Sequence, residues 1–242
     1  MEVWRTVAES YALTFRNLGY LLRISWAWVG LMIPVSLAYY ASIGRHDSLF
    51  PDVLSALLFQ PFLASIAVAW HRRLLVNDVW APRVYLRLDR LVASYLGLSV
   101  VILILFPGPM LAVSPDFEGE WYGVLAVALA TAIGLFLSTK IWLALPARAL
   151  GNSEITVWQA WKRSRWNVWR LIAGSILCGL PMLVLLMLTE MFAPDFTEAS
   201  QPLIYAAWQT LLEIGITFFA GMPILSFLSL AYRRLIRDRE PG

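Results

Sequence analysis

Long apolar runs separated by short polar ones dominate this chain. Six of them approach the roughly 20 helical residues needed to cross a hydrocarbon layer about 30 Å thick. They are Ile24–Ile43, Val53–Trp70, Leu91–Val113, Trp121–Leu145, Leu171–Met191 and Leu203–Tyr232. The pattern predicts an all-α fold, a polytopic transmembrane bundle of six helices. No polar stretch between the runs is long enough for a separate soluble unit, so residues 1–242 read as one membrane domain.

Three of the polar stretches carry a helical period of their own. From Val3 to Leu18 the apolar residues Trp4, Val7, Ala8, Tyr11, Phe15 and Leu18 recur at helical spacing, as expected of a helix lying among lipid headgroups. Thr156–Arg170 repeats the arrangement with Trp158, Trp161, Trp166 and Trp169 among Lys162, Arg163 and Arg165, and Val84–Leu91 is a third such segment. Each precedes a pair of apolar runs. The chain therefore divides into three units of interfacial helix plus hairpin, 1–70, 80–145 and 156–232. Thr14-x-x-Asn17-Leu18 in the first has a counterpart in Ser164-x-x-Asn167-Val168 of the third.

Composition places lipid in the solvent of this protein. With 60% hydrophobic residues, 14% charged residues and a mean hydropathy of +0.67, 242 residues carry more apolar surface than one soluble core hides. The net charge of +3 and pI near 9.2 do not point to nucleic acid, because the basic residues sit in short segments between the apolar runs. Given six spans, every one of the 19 Lys and Arg residues except Arg45 falls on the side of the N-terminal segment, the second and fourth loops and the tail. The excess of positive charge on cytoplasmic loops assigns that side, with both termini, to the cytoplasm of a bacterial inner membrane. Anionic headgroups of the inner leaflet are the expected partner there, alongside other membrane subunits. The first apolar run is not followed by a cleavage pattern, so Met1 is expected to be retained. Cys178, the one cysteine, is expected to be an inert thiol within an apolar run.

Candidate chemistry is sparse. The two histidines, His46 and His71, fall on opposite faces of the membrane, and the chain has no His-Glu-x-x-His, no Gly-rich phosphate loop and no Gly-x-Ser-x-Gly elbow. No metal or cofactor is expected, and Asp116, Glu118 and Glu120 read as a solvated acidic loop. His71-Arg72-Arg73 closes the second run as an interfacial anchor, in the way Lys162, Arg163 and Arg165 anchor the Trp-rich segment. Glu213, about 20 residues outward from Arg233, belongs near the outer interface. Lys140 is less comfortable. It lies about 30 Å along the helix that begins at Trp121, yet Ile141–Leu145 continue apolar, and a helical side chain leans toward its own N-terminus. The expected state is an interfacial anchor with its ammonium in water. The competing one is a functional charge enclosed among helices, which needs a carboxylate, backbone carbonyls or a wet cavity. Prolines occur in five of the runs, as Pro34, Pro61, Pro107 with Pro109, Pro181 and Pro223. Broken helices of that kind line transporter sites, but membrane helices also tolerate proline for plain packing, so Gly179-Leu180-Pro181 and Gly221-Met222-Pro223 are the two positions to watch.

The stretches Leu143-Ala144-Leu145-Pro146-Ala147, Ala160-Trp161-Lys162-Arg163-Ser164 and Asn167-Val168-Trp169-Arg170-Leu171 resemble a pattern in uncharacterised bacterial six-helix inner-membrane proteins. Those are similar in turn to the membrane domain attached to some glycerophosphoryl diester phosphodiesterases. The resemblance implies a bacterial inner-membrane helix bundle. It does not bring phosphodiesterase activity, since this chain has no soluble catalytic domain. The expected role is a non-enzymatic scaffold or accessory subunit of a membrane complex, and the alternative is a small transporter or lipid-handling protein.

Overall fold

The computed structural model describes residues 2–42, 49–79, 82–105, 121–192 and 202–237, and every regular element among them is helical. α1 (Val3–Arg16) turns at Asn17 into α2 (Leu18–Ser42), and α3 (Leu49–Val76) and α4 (Arg90–Leu105) follow. α5 (Trp121–Trp142) breaks at Leu143 and continues as the short α6 (Ala144–Leu150). α7 (Val157–Ser164) leads into α8 (Val168–Phe192). α9 (Pro202–Ile216) passes through a π-helical turn, Thr217–Gly221, into α10 (Met222–Leu235).

Four stretches among the described residues are long and apolar enough to cross a membrane: Leu18–Ala38, Trp121–Leu150, Val168–Leu185 and Thr210–Leu235. They coincide with the first, fourth, fifth and sixth apolar runs. The second run lies in the 28-residue α3. The third begins with the apolar α4, while its remainder, with Pro107 and Pro109, lies outside the described residues. His46, Asp116, Glu118 and Glu120 lie outside them too.

Consecutive long helices pack as neighbours, α2 on α3, α3 on α4, α4 on α5, α5 on α8 and α8 on α10, and α9 closes the ring against α2. α3, α6 and α10 also pack on one another inside it. The short helices cross helix ends, α1 against α8 and α10, and α7 against α5. Local chemistry fixes where the short elements start and stop. Thr156 caps α7 by accepting the Gln159 N–H at 3.2 Å while Gln159 Oε1 accepts the Thr156 N–H at 2.8 Å, a reciprocal capping box. α6 ends on Gly151, whose φ of +72° is the left-handed conformation that closes a helix without a side-chain clash.

The helix expected over Val84–Leu91 is absent. Residues 84–89 are non-helical: Tyr85 is buried while Val84, Leu86 and Leu88 are exposed, and α4 starts only at Arg90. Asp89 accounts for that start, since its Oδ1 accepts the N–H groups of Leu91 and Val92 at 3.0 Å each. Most of the prolines are accommodated without a break, as membrane helices tolerate them. Pro34, Pro61 and Pro181 sit inside continuous helices, so the helix runs through Gly179-Leu180-Pro181. Before Pro223 the ladder changes to the π turn, which absorbs the hydrogen bond that proline cannot donate.

Gly174 sets the approach of α8 to α10. A Cβ there would fall inside the ring of Phe227, which is fully buried and cannot swing away, whereas Gly97 on α4 faces open space. Gly174→Ala is therefore expected to destabilise the protein by about 1–3 kcal/mol through overpacking. Gly97→Ala should be neutral or stabilising through helix propensity, as read by unfolding of the purified protein in detergent.

Candidate functional site

The basic ends of the helices meet at one end of the bundle, and the buried polar side chains concentrate there. α1 supplies the first of them. Thr6, Ser10 and Thr14, spaced four residues apart on one helix face, are buried, while Trp4 is 73% exposed and Phe15 60%. α1 thus meets the protein with its hydroxyl face and turns its aromatic face outward. α7 behaves alike, burying Ala160 and Ser164 and exposing Trp158.

The hydroxyl hydrogens of Thr14, Ser226, Ser229 and Tyr95 can each be followed to an acceptor. Thr14 Oγ1 donates to the Ser10 carbonyl at 2.9 Å, so the 2.9 Å contact between Thr14 and Ser226 is donated by Ser226. Ser226 Oγ in turn accepts the indole N–H of the buried Trp70 at 2.9 Å. One turn along, Ser229 Oγ donates to the Leu225 carbonyl at 2.9 Å and so accepts from His71 Nδ1 at 2.7 Å. That leaves His71 Nε2 as acceptor for the Tyr95 hydroxyl at 3.3 Å. His71 is neutral in this arrangement and 0% exposed. It is not the interfacial anchor its Arg-Arg neighbours suggested; α3 turns it inward, where two hydroxyls satisfy both ring nitrogens.

Arg72 and Arg73 stay at the surface and are used locally. Arg72 pairs with Asp78 at 2.9 Å. Arg73 donates to Asn17 Oδ1 at 3.3 Å and Asn77 Oδ1 at 2.8 Å and lies over the Tyr20 ring. Arg163 reaches the Ile236 carbonyl at 3.5 Å. Lys162 and Arg165 lie on the exposed faces of Trp158 and Trp166. At the far end of α10, Arg233 and Arg234 both grip Glu9 of α1.

Lys140 departs furthest from expectation. It occupies the last turn of α5, but only 7% of it is exposed. Its ammonium lies 4.9 Å from the centre of the Trp161 ring and 5.2 Å from that of Phe136. Phe136 is one turn N-terminal, where the lean of the side chain carries the ammonium. Trp161 comes from α7, which is held across this helix end by Ser164 donating to the Lys140 carbonyl at 3.1 Å. Depth along one helix could not reveal that cover. Among the described residues no carboxylate pairs with Lys140, and two aromatic faces hold the charge instead.

The predicted site residues therefore do not converge on one centre. Glu213 lies in α9, remote in sequence from this end, and its side chain is outside the described atoms. Sequence reading missed Thr14, Trp70, Tyr95, Ser226 and Ser229. The recoverable signals were the four-residue spacing of hydroxyls in α1 and the Ser226/Ser229 pair on one face of α10.

Two measurements check these assignments. Ser229→Ala leaves a buried His71 donor without an acceptor and is expected to cost about 1–3 kcal/mol in detergent unfolding. A double-mutant cycle of Lys140→Gln with Trp161→Leu should give a coupling of about 0.5–2 kcal/mol, because the ring is worth little once the cation is gone. Additive single effects would remove the cation–π pair from the account.

Comparison with known proteins found no matching family model, no matching curated protein and no matching solved structure.

Proposed function

We propose that this chain is a six-span bacterial inner-membrane protein with both termini in the cytoplasm, serving as a scaffold or accessory subunit of a membrane complex and catalysing no reaction. The observation that carries the reading is the use of the buried polar groups. Thr14, Ser226 and Trp70 form one hydrogen-bonded chain and Ser229, His71 and Tyr95 a second, and between them they link α1, α3, α4 and α10. Groups so engaged fix helices in register rather than face a substrate. A six-span count is supported by the way α3 and α4 complete the ring begun by the four membrane-capable stretches. Orientation is supported by the gathering of basic segments at one end, which is the surface suited to anionic headgroups. On α5 the exposed Tyr122, Leu125, Leu129 and Ile133 form one apolar stripe that suits lipid or a neighbouring subunit.

Support for likeness to the phosphodiesterase-linked membrane domain comes from the same region. Leu143, Ala147, Ala160 and Leu171, drawn from all three of the resembling stretches, share one buried cluster. The alternative of a small transporter or lipid-handling protein draws on the π turn at Thr217–Gly221, a local weakness in an otherwise continuous helix.

In a Cys178→Ser background, cysteines placed at Ser114 and Ser200 are expected to react with an impermeant thiol reagent from outside intact cells, and one at Ser153 is not. Extracted gently from its native membrane, the chain should migrate well above its own 27.3 kDa, with a defined membrane partner in fixed ratio. A chain that runs alone and moves a solute across reconstituted vesicles would establish the transporter instead.

A further inference from the structure

Two cavities open at the basic end, and they differ in what their charges are doing. One is bordered by Arg72, Asp78, Arg87 and Asp89, and its charges are already matched, Arg72 with Asp78 and Arg87 with Asp89. Burial alone would raise the Asp89 pKa. The Arg87 hydrogen bond and charge, with the N–H groups of Val92 and Leu91, more than offset that and hold it below the ordinary carboxylate value. The second cavity, about 360 Å³, is lined by Arg90, Leu91, Ser94, Arg148, Asn152 and Ser153. Its two guanidiniums come from different elements, the start of α4 and the body of α6. Among the described residues neither has a hydrogen bond, an ion pair or a ring contact.

The remaining polar groups of this cavity are suited to an anion. Asn152 Oδ1 already accepts the Glu154 N–H at 2.9 Å, which leaves the Asn152 amide hydrogens to donate. Ser94 and Ser153 add hydroxyls. Asp89, the acid nearest Arg90 in sequence, is engaged by Arg87 and the start of α4. Two guanidiniums, an amide and two hydroxyls around a small volume match a tetrahedral group with several acceptor oxygens, a phosphate. The surface leading away from the cavity is apolar. From Arg90, exposed positions continue along one face of α4 through Ala93, Gly97, Val101 and Ile104. Nothing lies within 4 Å of where a Gly97 side chain would start. That track is about 20 Å long at 1.5 Å per residue, enough to span the apolar half, about 15 Å, of a bilayer whose core is about 30 Å thick.

We propose that Arg90 and Arg148 bind the phosphate of an anionic phospholipid, whose acyl chain lies along the α4 track. The site goes beyond the scaffold reading and does not depend on it. Full-length protein in detergent would be titrated with phosphatidylglycerol, phosphatidylcholine and inorganic phosphate, with binding read by native mass spectrometry and thermal shift. Phosphatidylglycerol is expected to bind best, and R90Q/R148Q to weaken it by at least about tenfold. R16Q/R23Q, which removes the same charge elsewhere, should leave it nearly unchanged. Ser94→Phe, which fills the cavity and keeps both arginines, should weaken phosphatidylglycerol as well, and it serves as the test if R90Q/R148Q does not fold. Equal losses in R90Q/R148Q and R16Q/R23Q would show only diffuse surface charge and overturn the proposal. So would undiminished binding in Ser94→Phe. Arginine-dependent binding of inorganic phosphate with no preference for the anionic lipid would identify a free-phosphate site and overturn the lipid assignment.

Discussion

A polar group carried into the interior of a helix bundle has no water to fall back on, so it must find its partner within the protein. Here the requirement is met around α10. Ser226 accepts from Trp70 of α3 and donates to Thr14 of α1, and Ser229 accepts from His71, whose other nitrogen takes the Tyr95 hydroxyl of α4. Rotating α10 by one residue, about 100°, would part all of these at once and lift Phe227 away from the gap left by Gly174. Apolar packing alone tolerates such slippage because lipid is as apolar as leucine. The hydroxyls remove the alternatives.

The same requirement explains why α1 and α7 look inside out beside helices of a soluble protein. In water, a short helix would bury Trp4 and Phe15 and expose Thr6, Ser10 and Thr14. Here the aromatic rings are left outside, and the hydroxyls sit where the polar end of the bundle receives them. α1 is then held from both sides of its polar face. Cys178 and Ser226 contact Ser10 and Thr14, and Arg233 and Arg234 grip Glu9. A helix fastened in this way ties the first and last parts of the chain together.

The long apolar runs were legible because their signal is local: a helix in lipid satisfies its own backbone and needs no partner to exist. Ends of runs were less so. Leu18–Arg23 belongs to α2, and α3 continues to Val76, because hydropathy falls before the helix does when arginines extend outward. His71 and Lys140 were misplaced for one shared reason. Counting residues along a helix gives depth, but burial at that depth depends on what crosses above it. Tyr95 is 24 residues from His71, and Trp161 arrives through a separate helix. Tyr85 shows the converse. Its neighbours' alternation was present in the sequence and was read as a helical turn.

Charge at this end of the molecule is sorted by how it is neutralised. Arg72, Arg87, Arg233 and Arg234 meet carboxylates. Lys140, Lys162 and Arg165 meet aromatic faces. These two solutions do different work. A carboxylate cancels the field of its partner, whereas a ring's quadrupole steadies a cation without cancelling its charge. Stacked residues therefore leave the surface positive while holding its side chains in place. Lys162 and Arg165 do so in the open, whereas Lys140, only 7% exposed, lies enclosed beneath Trp161.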